Sequence, residues 1–165
     1  MRSEITEVGE ATFLANFTRP ELIVPQLRDL DVAGIIEELS LRLRENRMVG
    51  DVLSFYHDAI NREFLSDSSL PEGVAIPHAR SAQVKRLALA IGRTRAPVVW
   101  GIKGSRPVEF VFLVAVPPTD ASEYLSLLSS IASFCSERDM LTQLRAATDA
   151  RKMFDLLKAT QVRPA

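Results

Sequence analysis

The chain has 165 residues, 47% hydrophobic and 25% charged, which suits one globular domain with a single core and excludes a disordered chain. Lys and Arg total 20 against 21 Asp and Glu, a net charge of -1, so a polycation that coats nucleic acid is excluded. One cysteine, Cys135, excludes an intrachain disulfide framework and a multi-cysteine zinc site, and a reducing, cytoplasmic setting is expected.

No apolar run approaches the ~18–20 residues that span a bilayer, so no membrane insertion is expected. Residues 1–19 read as a loosely structured N-terminal extension; Glu4, Glu7 and Glu10 make Met1 to Ala15 unlike a signal peptide. The domain itself is expected over residues 20–165. Leu22-Ile23-Val24 before Pro25 predicts a short edge strand, where proline is tolerated. Asp31 is placed to cap a helix on which Val32, Ile35, Ile36, Leu39 and Leu43 recur at helical spacing, ending near Asn46 to Gly50. Asp51 caps a second helix to about Leu65, with Val52, Phe55, Ala59 and Ile60 inward.

Ser66 to Gly73 is a loop by composition, and Val74-Ala75-Ile76 is a short apolar strand interrupted by Pro77 and His78. Arg86 to Ile91 predicts a strand, followed by a turn-rich stretch through Pro97, a short strand at Val98-Val99-Trp100 and a loop from Gly101 to Arg106. Val108 to Val116 is nearly all apolar, which predicts a central strand buried on both faces and stopped by Pro117-Pro118. Thr119 or Asp120 is expected to cap a third helix that buries Leu125, Leu128, Ile131, Ala132 and Cys135. Met140 to Ala146 and Ala150 to Ala159 complete the helices. Helices before, between and after the strands predict an α/β fold, a sandwich with helices on both faces of the sheet.

Charge is uneven along the chain. Glu21 to Glu72 holds eleven acidic and five basic residues; Arg80 to Arg106 holds seven basic residues and no acidic one. The basic stretch reads either as a face for an anionic partner or, the reading favoured here, as solvated charges on alternate strand positions and turns.

Phosphate-binding glycine motifs and a nucleophile-elbow serine are absent. The only histidines, His57 and His78, sit in no ligand-spaced cluster, so no metal and no cofactor is expected. His57 reads as a solvent-facing helical residue, Cys135 as core, Trp100 as packing at a strand end, and Arg62 as an ion-pair partner for Asp58 four residues earlier. His78 stands out. In Gly73-Val74-Ala75-Ile76-Pro77-His78-Ala79-Arg80, Pro77 fixes its own φ and biases Ile76 to an extended conformation, which presents the imidazole at the rim of a sheet. Arg80 shares its side of an extended chain. Such an imidazole is either an ordinary surface histidine or a nucleophile whose neutral nitrogen attacks a phosphoryl group. Arg62, Ser68 and Ser69, just upstream, are candidate donors to the phosphoryl oxygens.

Arg62-Glu63, a serine-containing loop and the stretch Gly73 to Arg80 resemble the type-2 enzyme IIA domain of the bacterial sugar phosphotransferase system, the fructose/mannitol class with its nitrogen-regulatory relatives. Trp100-Gly101, Arg106-Pro107-Val108, Val111 to Pro117 and Leu125 to Leu128 follow in the family's order, so the resemblance runs over roughly residues 20 to 160. It implies an αβα fold around a mixed sheet. It also implies that His78 accepts phosphate from the carrier HPr, or a nitrogen-branch analogue, and passes it to an enzyme IIB or holds it as a regulatory state. Arg62 would lie beside the phosphohistidine, Ser68 falls where the family often has threonine, and Gly73 and the loop amides would help hold the oxygens. Two positions depart from the pattern: Ser69-Leu70-Pro71-Glu72 replaces a glycine-rich loop, and Tyr124 stands where many members carry a second histidine. Two readings follow, a phosphocarrier with Arg80 at the docking face, or a regulatory module that binds a target protein. A domain without phosphoryl chemistry is a third.

Overall fold

The computed structural model describes residues 11–101, 106–119 and 122–164. Its centre is a mixed sheet built from β2 (Ile23–Leu27), β3 (Ser69–Leu70), β4 (Val74–Ala75), β5 (His78–Arg80), β6 (Ala88–Trp100) and β7 (Arg106–Val116). The strands lie in the order β2-β6-β7-β4-β3, with β5 also on β7. β7 runs antiparallel to β6 and parallel to both β4 and β5. The central position expected for the Val108 to Val116 run is therefore observed, as is the edge position of the Pro25 strand.

Alternation along β7 divides the core into two layers. Val111, Leu113 and Ala115 pack with the buried stripes of α1 (Val32–Glu45) and α2 (Val52–Leu65). Phe110, Phe112, Val114 and Val116 pack against α3 (Glu123–Ser136), α4 (Arg138–Ala146) and α5 (Ala150–Ala159). This is the three-layer αβα sandwich. The helix starts follow from capping: Asp31 accepts from the Gly34 amide at 2.7 Å and Asp51 from the Leu53 amide at 3.1 Å, each satisfying a donor the helix leaves unpaired.

Four local expectations are corrected. Residues 12–17 are not loose: β1 (Thr12–Phe13) pairs with β8 (Gln161–Val162), and a 3-10 turn over Leu14–Phe17 buries Leu14 completely. Residues 1–10 lie outside the described residues. The predicted break before Val98 is a register shift inside one continuous strand, β6. Buried Thr94 ties that shift to β7 through bonds from its hydroxyl to the Val108 and Glu109 carbonyls, and Pro97, which lacks an amide donor, sits where no ladder bond is needed. The cap of α3 is Ser122, not Thr119, and Asp120 lies outside the described residues. Finally, α3 buries Ile131 and Cys135 as expected, with Leu128 and Ala132 partly buried against the same core, but Leu127 and Phe134 complete its inner face and Leu125 is 54% exposed. The inner face is thus turned by about one residue toward Leu127, which leaves Leu125 at its margin.

The basic stretch does not form one face. Arg93 binds Glu109 and the Arg145 carbonyl, Arg95 donates to the Arg28 carbonyl, and Lys103 lies outside the described residues.

Candidate functional site

β4 and β5 occupy one lane beside β7, interrupted by Ile76-Pro77. Pro77 cannot donate to the ladder, but its carbonyl accepts from the Val114 amide at 2.9 Å and keeps the lane in register. Gly73 opens this segment with φ +87°, a left-handed turn that an L side chain resists. His78 then pairs with Val114, so its side chain belongs to the α3 side of the sheet, while Ala79 joins the α1–α2 core.

The ring of His78 is half-buried, and its Nδ1 lies 3.0 Å from the Ile76 carbonyl oxygen. A carbonyl only accepts, so Nδ1 carries the proton and Nε2 keeps its lone pair in the neutral ring. The backbone two residues upstream therefore selects the tautomer a nucleophile at Nε2 requires.

Two cavities open on this ring. The larger, about 400 Å³, is bordered by Asp58, Asn61, Arg62, His78, Arg80 and Tyr124. The smaller, about 240 Å³, is bordered by Arg62, Asp67, Ser68, Ile76, His78 and Leu128. Arg62 and His78 border both. Arg62 makes no ion pair with Asp58 among the described residues, contrary to the expectation; the last turn of α2 carries its exposed guanidinium to the cavity wall instead. The Arg80 guanidinium donates to the Pro118 carbonyl at 3.2 Å and lies over the Tyr124 ring.

The expected loop donors separate. Ser68 borders the smaller cavity, yet its hydroxyl donates to Glu63 at 2.9 Å, so that proton is already engaged. Ser69 and Gly73 border neither cavity. The Ser69 amide donates to Asp67, and Gly73 bonds to Leu70 and β7 within its turn. Glu72 is exposed and borders neither cavity, so its carboxylate is on neither wall of the site.

Residue patterns alone missed Glu63, Asn61 and the second role of Trp100. Glu63 is 5% exposed and accepts from the Trp100 indole N–H and the Ser68 amide, both at 2.8 Å. A signal for its burial was present: Glu63 continues the Ala59–Ile60 stripe at i+4 and i+3. Among the described residues no three His, Cys, Asp or Glu side chains gather as metal ligands, and no helix is long and apolar enough to cross a membrane.

A sequence profile described as "Phosphoenolpyruvate-dependent sugar phosphotransferase system, EIIA 2" matches residues 16–160. A nitrogen regulatory protein of Bradyrhizobium diazoefficiens is 27% identical over 149 residues, covering 87% of this chain and 94% of that one. The PTS system 2-O-alpha-mannosyl-D-glycerate-specific EIIABC component of Escherichia coli is 28% identical over 124 residues, covering 74% of this chain; the chain spans only 19% of that relative's length. The crystal structure of nitrogen regulatory protein IIA-Ntr from Neisseria meningitidis superposes with a TM-score of 0.77 at 29% identity, covering 87% of this chain and 98% of that one.

Proposed function

The chain belongs to the EIIA 2 family of the phosphoenolpyruvate-dependent sugar phosphotransferase system, and from that membership we propose that it is a cytoplasmic phosphocarrier with His78 as the phosphoryl acceptor. The donor is a phosphohistidine on an HPr-type carrier or its nitrogen-branch analogue; the recipient is an enzyme IIB or, in a regulatory use, the phosphoryl group stays as a signal to a target protein. Nε2 of His78 forms the new N–P bond as the donor's N–P bond breaks, and the electron pair of the broken bond returns to the donor's ring nitrogen. The Nδ1 proton stays against the Ile76 carbonyl throughout. Transfer between two imidazoles needs almost no driving force, so position and electrostatics supply the catalysis. Arg62, which borders both cavities at the ring, neutralises charge on the phosphoryl oxygens, and Asn61 and Tyr124 are placed to donate to them.

The observation that carries this reading is the bond from Nδ1 to Ile76, which leaves Nε2 as the free acceptor on a ring that shares both its cavities with Arg62. Incubation with enzyme I, a cognate carrier and phosphoenolpyruvate tests it: wild type is expected to gain an acid-labile adduct of about 80 Da, the size of the transferred group, and His78→Ala none. No adduct on wild type with an active donor, or an undiminished adduct on His78→Ala, overturns it. The regulatory use is favoured by the nitrogen regulatory relative that the chain matches over 94% of its length.

A further inference from the structure

Glu63 is the one buried charged side chain among the described residues. Its partners are all neutral donors: the Trp100 indole N–H at 2.8 Å, the Ser68 amide at 2.8 Å and the Ser68 hydroxyl at 2.9 Å. No salt bridge to Glu63 is formed among the described residues. A buried carboxylate without a counter-ion is a poor device for stability, since an apolar residue avoids its desolvation. What it supplies is direction. Ser68 is gripped at both its amide and its hydroxyl, and its Oγ and carbonyl oxygen both receive the Ile76 amide at 3.2 Å. Ile76 in turn presents the carbonyl that holds Nδ1 of His78.

We propose that Glu63 is a positioning residue for His78. Through Ser68 it locks the Ile76 carbonyl against Nδ1, and so keeps Nε2 unprotonated and aimed at the incoming phosphoryl group. Trp100 pins the carboxylate from the end of β6. Adjacent residues of α2 thus divide the work: Arg62 faces the cavity and Glu63 faces inward, as the ~100° turn per helical residue allows. The proposal rests on the reading of His78 as phosphoryl acceptor and adds the device that prepares it.

The test uses the ¹⁵N-labelled full chain and long-range ¹H–¹⁵N spectra of the His78 ring, assigned against His78→Ala, at a pH where the ring is neutral. Wild type is expected to populate the Nδ1–H tautomer. Glu63→Gln and Ser68→Ala are expected to raise the Nε2–H share several-fold, and Ser68→Thr, which restores a hydroxyl, to keep the wild-type pattern. Rates with phosphoramidate as a small donor are expected to fall in the same two variants and hold in Ser68→Thr. An unchanged tautomer ratio in folded Ser68→Ala and Glu63→Gln overturns the proposal. The Ser68 pair decides it even if Glu63→Gln does not fold. If wild type accepts no phosphoryl group from any donor, the carrier reading fails, while the tautomer ratios still report on Glu63.

Discussion

The guanidinium carbon of Arg80 lies 5.1 Å from the centre of the Tyr124 ring, joining the end of β5 to the first turn of α3 across the larger cavity. A cation over an aromatic face is attracted by the ring's quadrupole, so the ring serves as a platform for Arg80 at the cavity wall. Arg80 thus supplies positive charge on that same wall.

Tyr124→His is therefore expected to leave the phosphorylation rate within about fivefold of wild type, the range an exposed charge is worth. The new imidazole would stand beside Arg80, whose charge disfavours a second cation. Rates measured with a purified donor check this, and a gain of several orders of magnitude would show that the tyrosine blocks transfer.

Arg62→Ala is expected to lower the phosphorylation rate about 100-fold, as loss of one charge-stabilising donor does. Arg62 is exposed on α2 and packs no core, so its thermal midpoint should stay close to wild type. Arg62→Lys restores the charge without the planar fork and should recover part of the rate. Rapid-quench kinetics beside calorimetry separate the two effects.

Gly101→Ala is expected to destabilise the fold by about 2 kcal/mol or more, because two costs coincide. Its φ is +86°, and the Asp67 carboxylate fills the place a Cβ would take. Displacing Asp67, which borders the smaller cavity, also frees the Ser69 amide that it holds at 2.7 Å. Denaturant unfolding gives the loss, and a variant as stable as wild type would contradict the steric argument.

Burial, and then the charge of Glu72, push the Cys135 thiol well above its ordinary value. The native chain should not react with a thiol reagent at pH 8, and should react fully once unfolded. The sign of the pH effect follows. The folded state holds this proton more tightly, so the contribution is complete below about pH 9, the unfolded value, and is lost as pH rises beyond it. Cys135→Ala should flatten the alkaline limb of the stability profile.

Much of this was readable from residue order. Asp31 and Asp51 before stripes of helical period announce α1 and α2, since a capping carboxylate and an apolar face are local properties. The apolar run at Val108 to Val116 announces the central strand, because only a strand covered on both faces tolerates it. His78 is marked by the Ile76-Pro77 step before it. Ile131 and Cys135 on α3 were readable too, but the choice between Leu125 and Leu127 was not, because both are equally apolar and only the sheet's position decides between them. Nor was the register shift in β6, which depends on Thr94 reaching carbonyls of another strand.

By itself the sequence determined the layers, the starts of α1 and α2, the central strand and the histidine set beyond a proline, all of which depend on spacing within one segment. Only the tertiary structure decided that Arg62 and His78 border the same cavities, that Ser69 and Gly73 stand apart from them, and that Glu63 turns inward to Ser68 and Trp100. Those relations join residues from different elements, and packing of α2 against the sheet fixes them.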